Sequence, residues 1–336
     1  MKLTKKKTLI LILLLAAVTR LAFLGRYPNG GNQDEVYGAY NAWALMTDGI
    51  DARGYAFPVY FIAWGSGMSV LYSYLAIPLF AVFGQTLAVY RIVQGFFGVL
   101  SVAAMYLLGK ELCSEKFGLF LAFFLTINPW HIMITRFGLD ADLAPAMFVI
   151  GLTFLVYGLR RNVRFFYGAA VFFAASLYCY AQTWLILPAF LVLFVLLYYR
   201  QIPHNRAMLR AGILLLVLAL PLVWFVGVNL GLLPEVRTSF FSIPKLYSFR
   251  SGEISPANLK QSLLDLLRVI LTQTDGISYT SSQLVGAFYL FTTPFLVFGV
   301  VRHLVLLIRD CRMSKPKKET DLQYLFLLWF VCAAVM

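Results

Sequence analysis

Long apolar runs broken by short polar segments dominate the chain. A helix needs about 20 mostly apolar residues to cross a bilayer. That rule predicts spans near residues 8–25, 88–109, 117–135, 143–159, 165–183, 184–199, 209–228 and 285–308, with another beginning at about 322. The last run, "FLLWFVCAAVM", is cut by the end of the chain, so the protein is expected to continue beyond Met336. The pattern reads as an all-α polytopic membrane protein of about nine spans, organised as one transmembrane domain over residues 1–336, with long loops at 26–87 and 229–284.

One segment decides the topology. "GMSVLYSYLAIPLFAVFG", residues 67–84, is uncharged and just long enough to cross, but carries Pro78 near its centre. If it does not cross, one side holds Lys2, Lys5, Lys6 and Lys7, then Lys110 and Lys116, then Arg160, Arg161 and Arg164. The same side also receives Arg200, Arg206 and Arg210, and finally Arg309, Arg312, Lys315, Lys317 and Lys318. Crossing would export every cluster after the first, against the tendency of basic loops to stay in the cytoplasm. Residues 67–84 are therefore read as an interfacial or re-entrant helix, with the N-terminus cytoplasmic and both long loops extracytoplasmic. In the second loop, "SPANLKQSLLDLLRVILTQ" has Ser255 as N-cap, Pro256 at the first helical position and apolar Leu259, Leu263, Leu266, Leu267 and Ile270. That spacing predicts an amphipathic helix lying on the outer surface.

Composition agrees and narrows the class. Of 336 residues, 61% are hydrophobic and only 13% charged, which excludes a soluble domain. The formal charge of +13 sits in short clusters between apolar runs, so it serves topology and contact with anionic lipid headgroups. No nucleic-acid partner is expected, because no basic face is combined with base-reading residues. The start "MKLTKKKTLILILLLAAVTRLAFL" lacks a small-residue cleavage site and reads as a first span of a multi-pass cell-membrane protein. Cys113, Cys179, Cys311 and Cys332 show no CxxC spacing and indicate neither a metal cluster nor a disulfide framework.

With this topology the unusual polar residues collect on one side. Asp34 and Glu35 in "GGNQDEVYGAY" open a helix-like stretch with Val36, Tyr40 and Trp43 on one face and Gly49 as its stop. Helix capping and catalysis both suit such a pair. Arg91 lies at the mouth of the second span. "NPWHIMITRFGLDADLAPAMF" carries His131, Arg136, Asp140 and Asp142 in one turn, where Arg136 and Asp140 have the spacing of a local ion pair. "SLYCYAQTWLILP" presents Tyr178, Tyr180, Gln182 and Trp184, either as an interfacial aromatic belt or as a wall for a sugar or lipid headgroup. Together they suit a substrate with an anionic head and a greasy tail. A carboxylate takes a proton from an acceptor hydroxyl, and arginines hold a phosphate.

"NQDEVYGAYNAW", "LYSYLAIPLFAVFGQTLAVYRIVQGFFGVLSVAAMYLLGKELC" and "NPWHIMITRFGLDADL" resemble the GT-C membrane glycosyltransferases, in particular the protein O-mannosyltransferase and aminoarabinose-transferase-like families, over roughly residues 8–200. "LYSYLAIPLF" lacks the His-Pro-Pro run of many relatives, so the resemblance does not single out a protein mannosyltransferase. It implies a polyprenyl-phosphate-linked sugar donor and transfer to a hydroxyl of a protein, lipid or glycan acceptor, with inversion at the anomeric carbon. Asp34 matches the family's base, Glu35 its support, and Arg91 the arginine near the lipid phosphate. Arg136 and Asp140 match a further family feature. His131, Tyr178, Tyr180 and Gln182 complete the substrate-contact candidates. Some GT-C enzymes use a divalent cation and others do not, so the metal stays open. Two other readings remain at this stage: a transporter or flippase of a lipid-linked substrate, and a non-catalytic protein of envelope assembly. Transporters tend to place polar groups at the bilayer midplane, whereas here they gather at one face.

Overall fold

Short polar caps start helices that apolar runs then propagate. Helix α1, Lys5–Leu21, begins at Thr4, whose hydroxyl accepts from the Lys7 N–H. After the linker come α2, Gln33–Thr47, the hairpin strands β1, Tyr60–Ala63, and β2, Ser66–Ser69, and then α3, Leu71–Phe83. Thr86 caps α4, Leu87–Leu112, and Ser114 caps α5, Glu115–Ile127. Each such cap stabilises its helix by about 1 kcal/mol. The chain continues through α6, Pro129–Ile134, α7, Asp140–Arg160, α8, Phe165–Leu177, α9, Thr183–Tyr198, and α10, Arg206–Asn229. A second hairpin, β3, Val236–Arg237, with β4, Ser242–Ile243, precedes α11, Pro256–Thr272, α12, Thr293–Met313, and α13, Leu325–Ala334. These elements come from a computed structural model that describes residues 4–199, 202–203, 205–249, 256–274, 276, 286–313, 322 and 324–334.

Most of the expected spans contain a helix, but only four helices among the described residues are long and apolar enough to cross a membrane by themselves: α4, α7, α10 and Leu290–Arg309. The run expected at 117–135 is not one helix. It breaks at Asn128, whose side chain accepts from the His131 N–H, and Pro129 opens α6. The run at 67–84 begins in β2, and the 13 residues of α3 extend only about 20 Å, short of the roughly 30 Å hydrocarbon core. The two hairpins correct the all-α expectation: the chain is mostly helical with small antiparallel additions. The helix expected in the second loop is present as α11, with Leu264, Leu267 and Leu271 exposed. Its expected cap Ser255 and the side chains of Leu259 and Leu263 lie outside the described residues.

Around α7 the bundle packs α8 on one side and α4 on the other, with α5 and α1 against α4 and α10 against α8. Phenylalanines of α8 fill the space left by glycines of α7: a Cβ on Gly151 would stand 2.7 Å from the Phe173 ring. At the α4–α5 crossing the backbones themselves touch. A Cβ on Gly109 would lie 2.9 Å from Gly118 Cα, which no side-chain rotation relieves. Gly109→Ala is expected to cost about 1–3 kcal/mol, read as a lower thermal midpoint of the purified protein. An unchanged midpoint would mean the two helices separate freely.

The two long loops meet. Val59 N–H donates to the Ser242 carbonyl at 3.0 Å, Arg237 Nη2 donates to the Gly54 carbonyl at 3.1 Å, and its guanidinium sits 4.6 Å from the centre of the Tyr55 ring. Residues 54–59 of the first loop and 237–242 of the second therefore lie on the same side of the bundle.

Candidate active site

Helix α2 opens with a reciprocal cap. Asn32 Oδ1 accepts from the Asp34 N–H at 2.9 Å, and Glu35 Oε2 accepts from the Asn32 N–H at 3.3 Å. Capping thus accounts for part of the acidic pair, but its two members face different surroundings. Glu35 is fully buried and Asp34 half-exposed. The face carrying Val36 and Tyr40 turns outward, at 51% and 48% exposure, while Glu35, Gly38, Asn41, Ala42 and Leu45 turn inward.

Glu35 takes a two-point contact from Arg91 of α4: Nε to Oε1 at 2.7 Å and Nη2 to Oε2 at 2.8 Å. The remaining donors of Arg91 hold the linker between α1 and α2. Nη1 reaches the carbonyls of Leu24 and Pro28 at 2.9 and 2.8 Å, and Nη2 reaches that of Gly30 at 2.6 Å. All five N–H groups of this guanidinium are used. The Gly138 N–H adds a 2.7 Å bond to Glu35 Oε1. A Cβ there would lie 2.6 Å from the Tyr90 ring and 3.0 Å from the carboxylate, so only glycine lets the α6–α7 turn come this close. The Arg91 side chain is 1% exposed, and all its donors are engaged within the chain. Glu35 serves as its counter-charge.

Asp34 is differently placed. Trp64, at the tip of the β1–β2 hairpin, donates its indole N–H to Asp34 Oδ1 at 2.6 Å. Among the described residues nothing hydrogen-bonds to Oδ2. Asp140, at the start of α7, lies close enough to Asp34 to repel it. Its own carboxylate accepts the Ser69 N–H of β2 at 2.9 Å and the Ala141 N–H at 2.9 Å. One hairpin therefore touches both carboxylates. Asp142 follows two residues later in the same first turn, with Oδ2 buried and unpartnered, and Gln94 Oε1, also buried, is unpartnered too. Gln94 Nε2 donates to the Asp142 carbonyl at 2.7 Å. Among the described residues no group of three or more His, Cys, Asp or Glu is arranged to hold a metal ion.

Arg136 makes no local pair with Asp140. Its Nη1 donates to the Thr19 carbonyl at 2.7 Å, and Nη2 to those of Ala22 and Tyr27 at 2.8 and 2.7 Å. Burial, and then the charge of Arg91, lower its pKa. His131 lies away from the carboxylates, inside the bundle. Arg20 Nη2 meets its Nδ1 at 2.7 Å, and because guanidinium only donates, Nδ1 accepts and the ring is neutral. Its Nε2–H then donates to Ser101 Oγ at 3.0 Å, and the Ser101 hydroxyl donates to the Gly98 carbonyl at 2.8 Å. The buried Arg20 was missed, although an arginine inside the first apolar run was the available signal. Tyr178 spends its hydroxyl on the Leu218 carbonyl at 2.7 Å and packs beneath the hairpin. Tyr180 and Gln182 remain exposed beside it.

The site is thus a carboxylate held at one oxygen and open at the other, on a helix start pinned by Arg91. A family model described as dolichyl-phosphate-mannose-protein mannosyltransferase matches residues 68–225. ArnT from Cupriavidus metallidurans, solved bound to undecaprenyl phosphate, superposes with a TM-score of 0.61 at 12% identity, covering 98% of this chain and 54% of that one. The chain shares the GT-C fold of this structure. The archaeal oligosaccharyltransferase AglB from Archaeoglobus fulgidus, in complex with an inhibitory peptide and a dolichol-phosphate, matches this chain with a TM-score of 0.59 at 14% identity over 98% of it and 47% of AglB. The chain spans about half the length of these solved structures. No curated protein matches it.

Proposed function

We propose that this chain carries the helical catalytic part of a membrane glycosyltransferase that moves a sugar from a polyprenyl-phosphate-linked donor to an acceptor hydroxyl on the extracytoplasmic face. The observation that carries the reading is Asp34: half-exposed, fixed through Oδ1 by Trp64, with Oδ2 open. The dolichol-phosphate and undecaprenyl phosphate bound by the two fold relatives support the donor class. In the proposed step the acceptor oxygen bonds to the anomeric carbon as its proton passes to Asp34 Oδ2. The carbon–phosphate-oxygen bond breaks on the opposite side, its electron pair leaves with the polyprenyl phosphate, and the anomeric centre inverts. Arg136 is the phosphate-facing candidate, because only carbonyl oxygens offset its charge. Arg91 and Glu35 hold the base's helix in place and do not touch the reacting atoms. Tyr180 and Gln182 are the exposed members of a sugar-facing wall.

The test is release of polyprenyl phosphate from synthetic short-chain polyprenyl-phosphate hexoses and pentoses by the full-length protein in vesicles, with membranes of the source organism as acceptor pool. Release that disappears in Asp34→Asn supports the reading. Passage of intact donor across the vesicle without release would show a carrier. The proposed orientation has its own check: a cysteine placed at Asn162, in the α7–α8 turn, is expected to resist an impermeant maleimide in intact cells. Rapid labelling there would reverse the faces.

A further inference from the structure

The residue at the hairpin tip is hard to explain by folding alone. Ala63 pairs with Ser66, leaving Trp64 and Gly65 as a two-residue loop, both at positive φ, 51° and 78°. This is the requirement of the type I′ turn that Asn-Gly serves best, and a bulky aromatic there is an outlier. The ring gains little by burial, since Trp64 is 54% exposed. What the side chain does make is its 2.6 Å bond to Asp34 and a tilted contact with Tyr37, ring centres 5.4 Å apart.

The hairpin beneath is anchored for such a task. Tyr37 of α2 donates its hydroxyl to the Ile62 carbonyl at 2.7 Å. Phe61 and Met68 are buried in a cluster with Leu45, and Ser69 is bound to Asp140. The tip is thus fixed relative to the starts of both α2 and α7. We infer that Trp64 is a positioning residue of the proposed transfer site: its indole N–H fixes the Asp34 carboxylate through Oδ1 and turns Oδ2 toward the acceptor hydroxyl. This inference rests on the glycosyltransferase reading and adds to it a residue outside the acidic and basic set.

Two variants and one spectroscopic signal test it in the full-length protein. Trp64→Phe keeps the ring and loses the N–H. Trp64→Asn supplies the preferred turn residue, and so keeps the hairpin folded while removing the indole. Both are expected to lower kcat about 10- to 100-fold, the scale of a misplaced catalytic group, with donor and acceptor KM within about twofold. In protein labelled with 5-fluorotryptophan, the resonance assigned to Trp64 by its loss in Trp64→Phe is expected to shift in Asp34→Asn. A kcat within twofold of the parent in both variants, a rise in acceptor KM alone, or a resonance unmoved by Asp34→Asn would each overturn the inference. If Asp34→Asn transfers at the parent rate, the base assignment itself falls, a result separate from the behaviour of the Trp64 variants.

Discussion

Asp34→Asn is expected to slow sugar transfer by about 10²–10⁴-fold, the range lost with a positioned general base, while leaving the protein folded. The second half of that expectation follows from the cap. Asp34 contributes its backbone N–H to Asn32, and the return bond comes from Glu35, so the helix start survives loss of the Asp34 charge. A carboxylate near a helix N-terminus is worth only about 0.3–1 kcal/mol. Turnover and thermal midpoint of the same preparation should therefore separate: activity falls and the midpoint stays within a few degrees. Parent-level turnover in Asp34→Asn would leave the acidic pair as a cap and nothing more.

Arg91→Ala is expected to do the reverse, lowering stability first by about 3–5 kcal/mol, as removal of one partner of a buried ion pair does. The variant strands Glu35 without its counter-charge and strips donors from the carbonyls of Leu24, Pro28 and Gly30. A double variant, Arg91→Met with Glu35→Met, should recover only part of the loss, because the linker carbonyls still lack donors. Thermal unfolding of the two single variants and the double variant in one detergent measures the coupling. A fully stable Arg91→Ala whose only defect is weaker donor use would return this arginine to a phosphate role.

The acidic pair, the apolar runs and the stop of α2 were legible because each has a sequence signature: adjacent carboxylates, length, and a glycine beyond the last turn, at φ 71° for Gly49. The role of Arg91 was not, since three of its five hydrogen bonds go to carbonyls of the linker, which every sequence presents alike. The first hairpin was hidden for another reason. All four residues of β1 are buried, so the apolar–polar alternation that marks a half-buried strand is missing. Likewise, Arg136 and Asp140 stand at the spacing of an ion pair, yet the turn sends one to the end of α1 and the other to β2.

The Arg91 contacts also impose an order on biogenesis. A chain is made from its N-terminus, and its parts fold as they become available. The carbonyls of Leu24, Pro28 and Gly30 wait 67, 63 and 61 residues for the guanidinium that receives them. Glu35 waits 103 residues for the Gly138 N–H. The linker and the start of α2 therefore leave the ribosome well before the groups that fix them, and the proposed base reaches its final setting only once α4 and the start of α7 have entered the bundle.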